Sequence, residues 1–367
     1  MKPNIWIFSI EPIQTRYTQQ WHEHFPKLLA AYFKDSYNVI QIDGEQKNTA
    51  PTPGAFLNFS DTNYWKSSQL TKFLDHYNNG ETTTQDHFIF TDAWNPTVLQ
   101  LKYMKDLLGL EWTLHGLWHA GSYDPHDFLG RIIGDQPWVR HTEQGMFHAL
   151  DHNYFATEFH INMFADAFSE SVDDEWKLTM LEQGKIVQTG WPMEYMNHIL
   201  TVYKDMPKRD LILFPHRIAP EKQVEIFRDL KEQLPQYEFV VCQDQQLTKN
   251  EYHNLLGEAK IVFSANLQET LGISCFEGSV AGAIPMVPDR LSYTEMYDDV
   301  FKYPSEWTMD WEQYIVNRKE LCDHIEKMID NYSSLVPKIQ SQAYTLREKF
   351  FSCHKLLSTI SNSTTRK

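Results

Sequence analysis

The chain has 367 residues, 42% of them hydrophobic, which is enough to bury a sizeable core and favours two domains over one. Its formal net charge is -16, with 13 Lys and Arg against 24 Asp and Glu in residues 1–190 and 20 against 25 in the remainder. A surface that tracks many phosphates needs positive potential, so the first half is disfavoured as an extended nucleic-acid groove, and only a local basic patch stays open there.

In chain order, Asn4 to Ser9 (N-I-W-I-F-S) reads as a buried strand, and the apolar spacing of Trp21, Phe25, Leu28, Leu29, Tyr32 and Phe33 reads as a helix. A strand over 37–42 follows, then a polar loop over 44–63, a helix over 67–77 and a strand over 87–91. Pro96 opens a helix carrying Val98, Leu99, Leu101, Met104, Leu107 and Leu108, and 112–118 is the next strand. A strand over 154–158 leads to a helix over 162–168, and Ile186 and Val187 lead into the turn T-G-W-P-M-E. The polar stretch 196–210 is the expected boundary.

The second half restarts with the buried strand L-I-L-F at 211–214 and the helix 221–233. A strand over 237–242, a helix over 249–259 and a strand over 261–264 complete the repeat of the pattern, and 310–361 reads as helical. Strands alternating with amphipathic helices predict an α/β fold with parallel sheets covered on both faces, in which ligands sit beyond the carboxyl ends of the strands. The expected domains are 1–195 and 205–335, with a C-terminal helix and polar tail over 336–367.

No run of 18 apolar residues occurs, and Met1-Lys2-Pro3-Asn4 lacks the apolar core of a signal peptide, so no membrane-spanning segment is expected and the cytoplasm is the expected compartment. Cys242, Cys275, Cys322 and Cys353 are widely spaced with no C-x-x-C, which predicts buried thiols in place of a zinc site or disulfides. Aromatic residues make up 14%, with 11 Trp, and most of them are expected in the core.

Two stretches carry chemistry. Arg217 and Lys222 follow the strand L-I-L-F, placed on a loop and the first turn of a helix whose positive end favours an anion, so the pair suits a diphosphate. The plain alternative is two solvated charges at a helix start. Glu269 to Pro288 (E-T-L-G-I-S-C-F-E-G-S-V-A-G-A-I-P-M-V-P) reads as a loop carrying Glu269, a helix with Glu277 in its first turn, a glycine stop, and a buried strand at 284–287. Two carboxylates so placed suit sugar and ribose hydroxyls through charge-assisted hydrogen bonds, and Gly272 between them lets backbone approach a ligand.

These elements resemble the nucleotide-sugar-binding domain of retaining glycosyltransferases built from two Rossmann-like domains facing across a cleft (the GT-B type), close to glycosyltransferase family 4. R-I-A-P-E-K at 217–222 is similar to that family's diphosphate Arg-Lys element, and 269–277 reproduces its E-x7-E motif followed by G-S-V-A-G-A-I-P. Residues 154–159 resemble its N-S-type strand, and G-W-P-M-E at 190–194 stands where the family has N-G-V-D. F-P-H-R and P-D-R-L-S-Y-T-E are also similar to the queuosine-tRNA mannosyltransferase branch. The resemblance spans residues 205–300 and is thin elsewhere.

It implies a retaining glycosyltransferase with a nucleotide-diphosphate sugar as donor and no required metal, since no D-x-D stands where a metal-binding transferase uses one. Arg217 and Lys222 would bind the diphosphate, Glu277 the ribose, Glu269 the donor sugar, and backbone at Thr270, Leu271 and Gly272 would face the donor. The family's histidine near the reacting sugar matches His119, with His115 second, and the C-terminal helices would pack back on the N-terminal domain. The first loop, I-E-P-I-Q-T-R-Y, departs from the family's Gly-Gly, which predicts unusual acceptor handling with Glu11, Arg16 and Tyr17 as contacts by position. The hydroxyl acceptor is open between a small molecule, a glycan, a protein and a modified base in DNA or tRNA. A nucleotide-sugar epimerase and a non-catalytic binding protein of the same fold are the alternatives.

Overall fold

The computed structural model describes residues 2–13, 16–47, 49–50, 57–134, 136–168 and 174–363. By internal contacts the chain forms two units, Met1–Pro192 together with Cys353–Lys367, and Met193–Ser352. Parts of the expected first loop (residues 14 and 15), of the polar loop (48 and 51–56) and of the tail (364–367) lie outside the described residues.

The first unit runs β1 (Asn4–Phe8), α1 (Tyr17–Tyr32), β2 (Asn38–Ile42), α2 (Phe59–Asn78), β3 (His87–Phe90), α3 (Thr97–Leu108), β4 (Thr113–Leu117), α4 (Phe128–Ile133), α5 (Pro137–Ala149), β5 (His152–Phe155), α6 (Glu158–Phe168), α7 (Asp174–Glu182) and β6 (Ile186–Gln188). All six strands are parallel, in the order β2-β1-β3-β4-β5-β6. Every residue of β1 is buried, as a strand covered by helices on both faces requires. Trp6, Phe8, Phe73, Phe88, Phe90, Trp112 and Trp118 fill the core beside it. Helix α2 begins within the stretch expected to be loop, because Asn58 caps it by accepting from the N–H groups of Ser60 and Asp61.

A buried polar chain crosses this sheet. Tyr37 OH meets His87 Nε2 at 3.2 Å, His87 Nδ1 meets His115 Nε2 at 2.9 Å, and His115 Nδ1 meets Tyr154 OH at 2.7 Å. The rings of His87, His115 and His152 stack across neighbouring strands. Such a chain is satisfied with one proton per contact, which keeps the imidazoles neutral. Burial, then His152, His87 and Lys105, hold His115 well below the usual histidine range, and burial takes His160 down to about 3.

An unfolded chain takes up these protons near the ordinary histidine value, whereas the folded one refuses them until far lower pH. Stability is therefore fully present above about pH 6.5 and is lost as pH falls from there toward the folded values. The urea midpoint is expected to drop between pH 7 and 5 by the equivalent of about 1 kcal/mol or more for each of His115 and His160. A midpoint that is flat over that window would contradict the neutral ladder.

The second unit runs α8 (Glu194–Leu200), β7 (Arg209–Phe214), α9 (Val224–Gln233), β8 (Glu238–Val241), α10 (Lys249–Glu258), β9 (Ala259–Phe263), α11 (Ile273–Val280), β10 (Ile284–Pro288), α12 (Tyr293–Met296), β11 (Lys302–Tyr303), α13 (Trp311–Asp330) and α14 (Tyr332–Lys349). Its parallel sheet has the order β11-β10-β9-β7-β8. Helix α9 buries Val224, Ile226, Phe227 and Leu230 against Phe214, Phe239 and Phe263. α15 (His354–Ser363) closes the described chain and belongs to the first unit.

Three expectations change. The units divide at Pro192 and Met193, ahead of the polar stretch 196–210 expected as the boundary, whose start is taken up by α8 and a following 3-10 turn with Met196 and Leu200 buried. The expected C-terminal segment from 336 divides, since α14 packs on α11 within the second unit and only the chain from Cys353 joins the first. Glu221 and Lys222 lie on a separate 3-10 turn and not in the first turn of α9. Gln223 separates the two with a left-handed φ of 53°, held there by side-chain hydrogen bonds to the carbonyls of Ala265 and Thr308, both 2.7 Å.

Three of the four thiols, Cys242, Cys275 and Cys353, are buried, and Cys322 is partly so. No described helix is long and apolar enough to cross a membrane.

Candidate functional site

In the second sheet the chain leaves β7, forms the edge strand β8, then crosses back to lay β9 on the other side of β7. The carboxyl ends of β7 and β9 therefore flank a switch point, the place where an open α/β sheet leaves a crevice for a ligand. All four chemically suggestive residues, Arg217, Lys222, Glu269 and Glu277, come from the two segments that follow these strands.

The two loops are stitched into one body. Leu267 N–H donates to the Glu221 carbonyl at 2.8 Å, and the Lys222 ammonium donates to the Gln268 carbonyl. Lys222 Nζ also lies 3.3 Å from Glu269 Oε2, with the lysine side chain only 7% exposed. Arg217, about a quarter exposed, is ion-paired with buried Glu221. Behind them Arg290 donates to the carbonyls of Asn266 (2.8 Å), Ala265 (2.8 Å), Ser305 (2.9 Å) and Thr308 (3.1 Å). A rigid guanidinium fork thus braces the loop after β9 from below.

His216 lies between the loops. Its Nε2 faces the Phe263 carbonyl at 3.1 Å, and a carbonyl only accepts, so Nε2 carries the proton. Nδ1 then accepts from Ser274 Oγ at 3.2 Å and from Asn266 Nδ2 at 3.5 Å. Burial, with Lys222 nearby, pulls His216 down to about 3, so it is a neutral part of the scaffold. Asn266 Nδ2 reaches on to Glu269 Oε2 at 3.2 Å and to Tyr293 OH at 3.1 Å.

Burial alone would raise the Glu269 carboxyl, but the Lys222 ammonium, with the Gly272 N–H, outweighs it, and the group is held below the usual carboxylate range. Gly272 is the N-cap of α11 with φ of 69°, and a Cβ there would lie 2.7 Å from Tyr293 Cε1. Gly278 lets α11 press on β9, since a Cβ there would lie 2.5 Å from Val262 Cγ2. Glu277 is the fifth residue of α11, in its second turn and not its first as expected, because the helix starts only after the Gly272 cap. Burial raises its carboxyl, with Lys249 and the Tyr252 hydroxyl pulling the other way. Thr270 and Leu271 are buried beside the cap.

In the first unit the structure separates the two candidate histidines. His115 is an interior residue of β4 with both ring nitrogens in the buried chain described above, so it does not reach a surface site. His119 follows the carboxyl end of β4. Its Nε2 donates to the Thr91 carbonyl at 2.6 Å, and its Nδ1 accepts from Tyr17 OH at 2.9 Å. Burial lowers it, so it too is held neutral. Trp191 lies 4.3 Å from the His119 ring, centroid to centroid, with Trp21 stacked on Trp191. Of the first-loop residues, Glu11 accepts from Thr62 Oγ1 at 2.9 Å, and burial raises its carboxyl.

The site residues that sequence reasoning missed are His216, Asn266, Tyr293, Arg290, Gln223 and Tyr252. One signal was available, because F-P-H-R and P-D-R-L-S-Y-T-E contain three of them.

No family model matches the sequence, and a search of curated proteins gives no match. Solved structures match in fold. The catalytic domain of starch synthase IV from Arabidopsis thaliana, bound to ADP and acarbose, aligns over 100% of this chain and 99% of its own, with a TM-score of 0.61 at 11% identity. Sucrose-phosphate synthase from Thermosynechococcus elongatus aligns over 100% and 99%, with a TM-score of 0.59 at 10% identity. A pneumococcal O-GlcNAc transferase in complex with UDP and GlcNAc aligns over 82% of this chain, at a TM-score of 0.52 and 14% identity, and this chain spans 60% of its length. At these identities the likeness shows the shared GT-B fold of two Rossmann-like units.

Proposed function

We propose that this chain is a retaining glycosyltransferase that moves a sugar from a nucleotide-diphosphate sugar to a hydroxyl acceptor without a required metal. The observation that carries the reading is the convergence of Arg217, Lys222, Glu269 and Glu277 on the two segments that follow β7 and β9 at the switch point of the second sheet, with Lys222 ion-paired to Glu269. Arg217 and Lys222 hold the diphosphate and offset the charge that develops as it leaves. Glu269, kept ionised by Lys222, accepts donor-sugar hydroxyls, and Glu277 accepts those of the ribose. Backbone at Thr270, Leu271 and Gly272 borders the donor, with Gly272 supplying the left-handed turn that starts α11 there.

Each cation already has a carboxylate partner, Arg217 with Glu221 and Lys222 with Glu269. The site is therefore near neutral and its geometry is set before the ligand arrives, so charge is positioned and not merely accumulated. On the first unit we assign the acceptor side to the loops after β1, β3 and β4, with His119 as the contributed histidine and Tyr17 held against it. The rate then comes from bringing an acceptor hydroxyl to the anomeric carbon. Cytoplasmic residence is part of the same proposal.

The test is a panel of nucleotide sugars with mass-spectrometric detection of hydrolysis or transfer, followed by acceptor screening. Glu277→Gln is expected to raise the donor KM by roughly 10- to 100-fold, the worth of a hydrogen bond to a charged group. If no donor is bound or turned over and Glu277→Gln changes nothing, the proposal fails.

A further inference from the structure

Glu277 is gripped from a neighbouring helix. Its Oε2 accepts the hydroxyl of Tyr252 at 2.7 Å, and Tyr252 stands in the opening turns of α10. That end of the helix is fixed by a reciprocal cap, in which Thr248 and Glu251 satisfy each other's backbone N–H groups, and Tyr252 N–H donates to the Thr248 carbonyl at 3.0 Å. Lys249, in the same turn, lies 5.7 Å from the Tyr252 ring centroid. One capped turn thus brings a hydroxyl and an ammonium toward a buried carboxylate.

We propose that Tyr252, with Lys249 in support, is a positioning residue for the nucleotide ribose, holding Glu277 in the orientation and the anionic form that accept ribose hydroxyls. This rests on the donor-site reading above. The groups that face Glu277 are Tyr252 and Lys249 from α10, the Cys242 thiol beyond β8, and Cys275 on its own helix. Burial pushes Cys242 up to about 12 and Cys275 higher still, so both thiols stay neutral and add no charge near pH 7. Burial, then Glu277 itself, also raises Tyr252, which therefore remains a hydrogen-bond donor.

Against this background Glu277 has burial working to protonate it and, among the described residues, Lys249 and the Tyr252 hydroxyl working against that. A protonated Glu277 would present a donor to the ribose hydroxyls where an acceptor is needed. Removing the Tyr252 hydroxyl lets Glu277 protonate at higher pH and frees its rotamer.

The experiment is calorimetric binding of UDP, ADP and GDP and of their 2′,3′-dideoxy counterparts to the wild-type full chain and to Tyr252→Phe, between about pH 5 and 8, with thermal melts alongside. For the nucleotide that the wild type binds best, Tyr252→Phe is expected to weaken binding about tenfold at pH 7, the scale of a lost hydrogen bond to a charged group. The dideoxy form should lose less than about twofold, since it lacks the hydroxyls that Glu277 receives. The acid limb of binding should move to higher pH. Lys249→Gln, at an exposed position, should move that limb the same way with a normal melt, which keeps the test open if Tyr252→Phe folds poorly.

Unchanged affinity and pH profile, or an equal loss for ribose and dideoxy forms, overturns the role of Tyr252 while leaving the donor site standing. A wild-type chain that binds none of the nucleotides overturns the donor-site reading and this inference with it.

Discussion

Lys222→Met is expected to lower turnover about 10²- to 10³-fold, the usual loss when one preorganised group facing developing charge is removed. It is also expected to destabilise the second unit by about 3 kcal/mol, because deleting one partner of a buried pair leaves the other charge unmatched. Lys222 is nearly inaccessible, and its ammonium is shared between the Gln268 carbonyl and the Glu269 carboxylate. Without it, burial works on Glu269 with its largest opposing influence gone, and the carboxyl rises. The double variant Lys222→Met with Glu269→Gln separates the two effects. It should recover much of the stability, since no unpaired charge remains, and none of the turnover. Urea unfolding read beside donor turnover makes the comparison. Turnover within tenfold of wild type in the single variant would remove Lys222 from the leaving-group role.

Gly272→Ala is expected to cost about 2–4 kcal/mol, combining the left-handed penalty of a side-chain-bearing residue with an overpacked contact. The second component is specific. The added methyl would lie 2.7 Å from Tyr293 Cε1, and Tyr293 is fully buried with its hydroxyl 3.0 Å from Ser264 Oγ and 3.1 Å from Asn266 Nδ2. The ring cannot move without disturbing Asn266, which also contacts Glu269. The predicted consequence is a fall in donor affinity together with the melting temperature, in contrast to the ribose-selective loss expected for Tyr252→Phe. An alanine variant that melts within a degree of wild type would show that the loop yields more easily than its hydrogen bonds suggest.

The parallel sheets were legible because strands covered on both faces are written as unbroken apolar runs, as in N-I-W-I-F and L-I-L-F. Helices α4, α5 and α7 were not seen. α5 is the clearest case, with buried Val139, Met146, Phe147 and Ala149 sharing one face with buried Glu143. Glu143 interrupts the apolar pattern because it accepts from Ser122 and from Trp94 Nε1, a tertiary reason that local periodicity does not contain. The residues Arg217, Lys222, Glu269 and Glu277 could be singled out because each lies in a short segment with its own spacing. Their supports could not, since Arg290 acts on carbonyls 15 to 25 positions away and Gln223 on one 85 positions away. The misplacement of Lys222 on α9 has the same origin, because a left-handed glutamine gives no warning in a string of helix-forming residues.

The return of the last helix to the first unit bears on the order in which the protein can finish folding. Leu356, Leu357 and Ile360 of α15 are buried, and Ser363 Oγ meets His152 Nε2 at 3.2 Å. The ribosome makes this helix only after the entire second unit, so residues 1–192 must wait without it while 193–352 already have all their own strands. A fragment ending at 192 would keep its six strands but lack those buried side chains. The better dissection joins 1–192 to 353–363 through a short linker, which also spares the nascent first unit its wait.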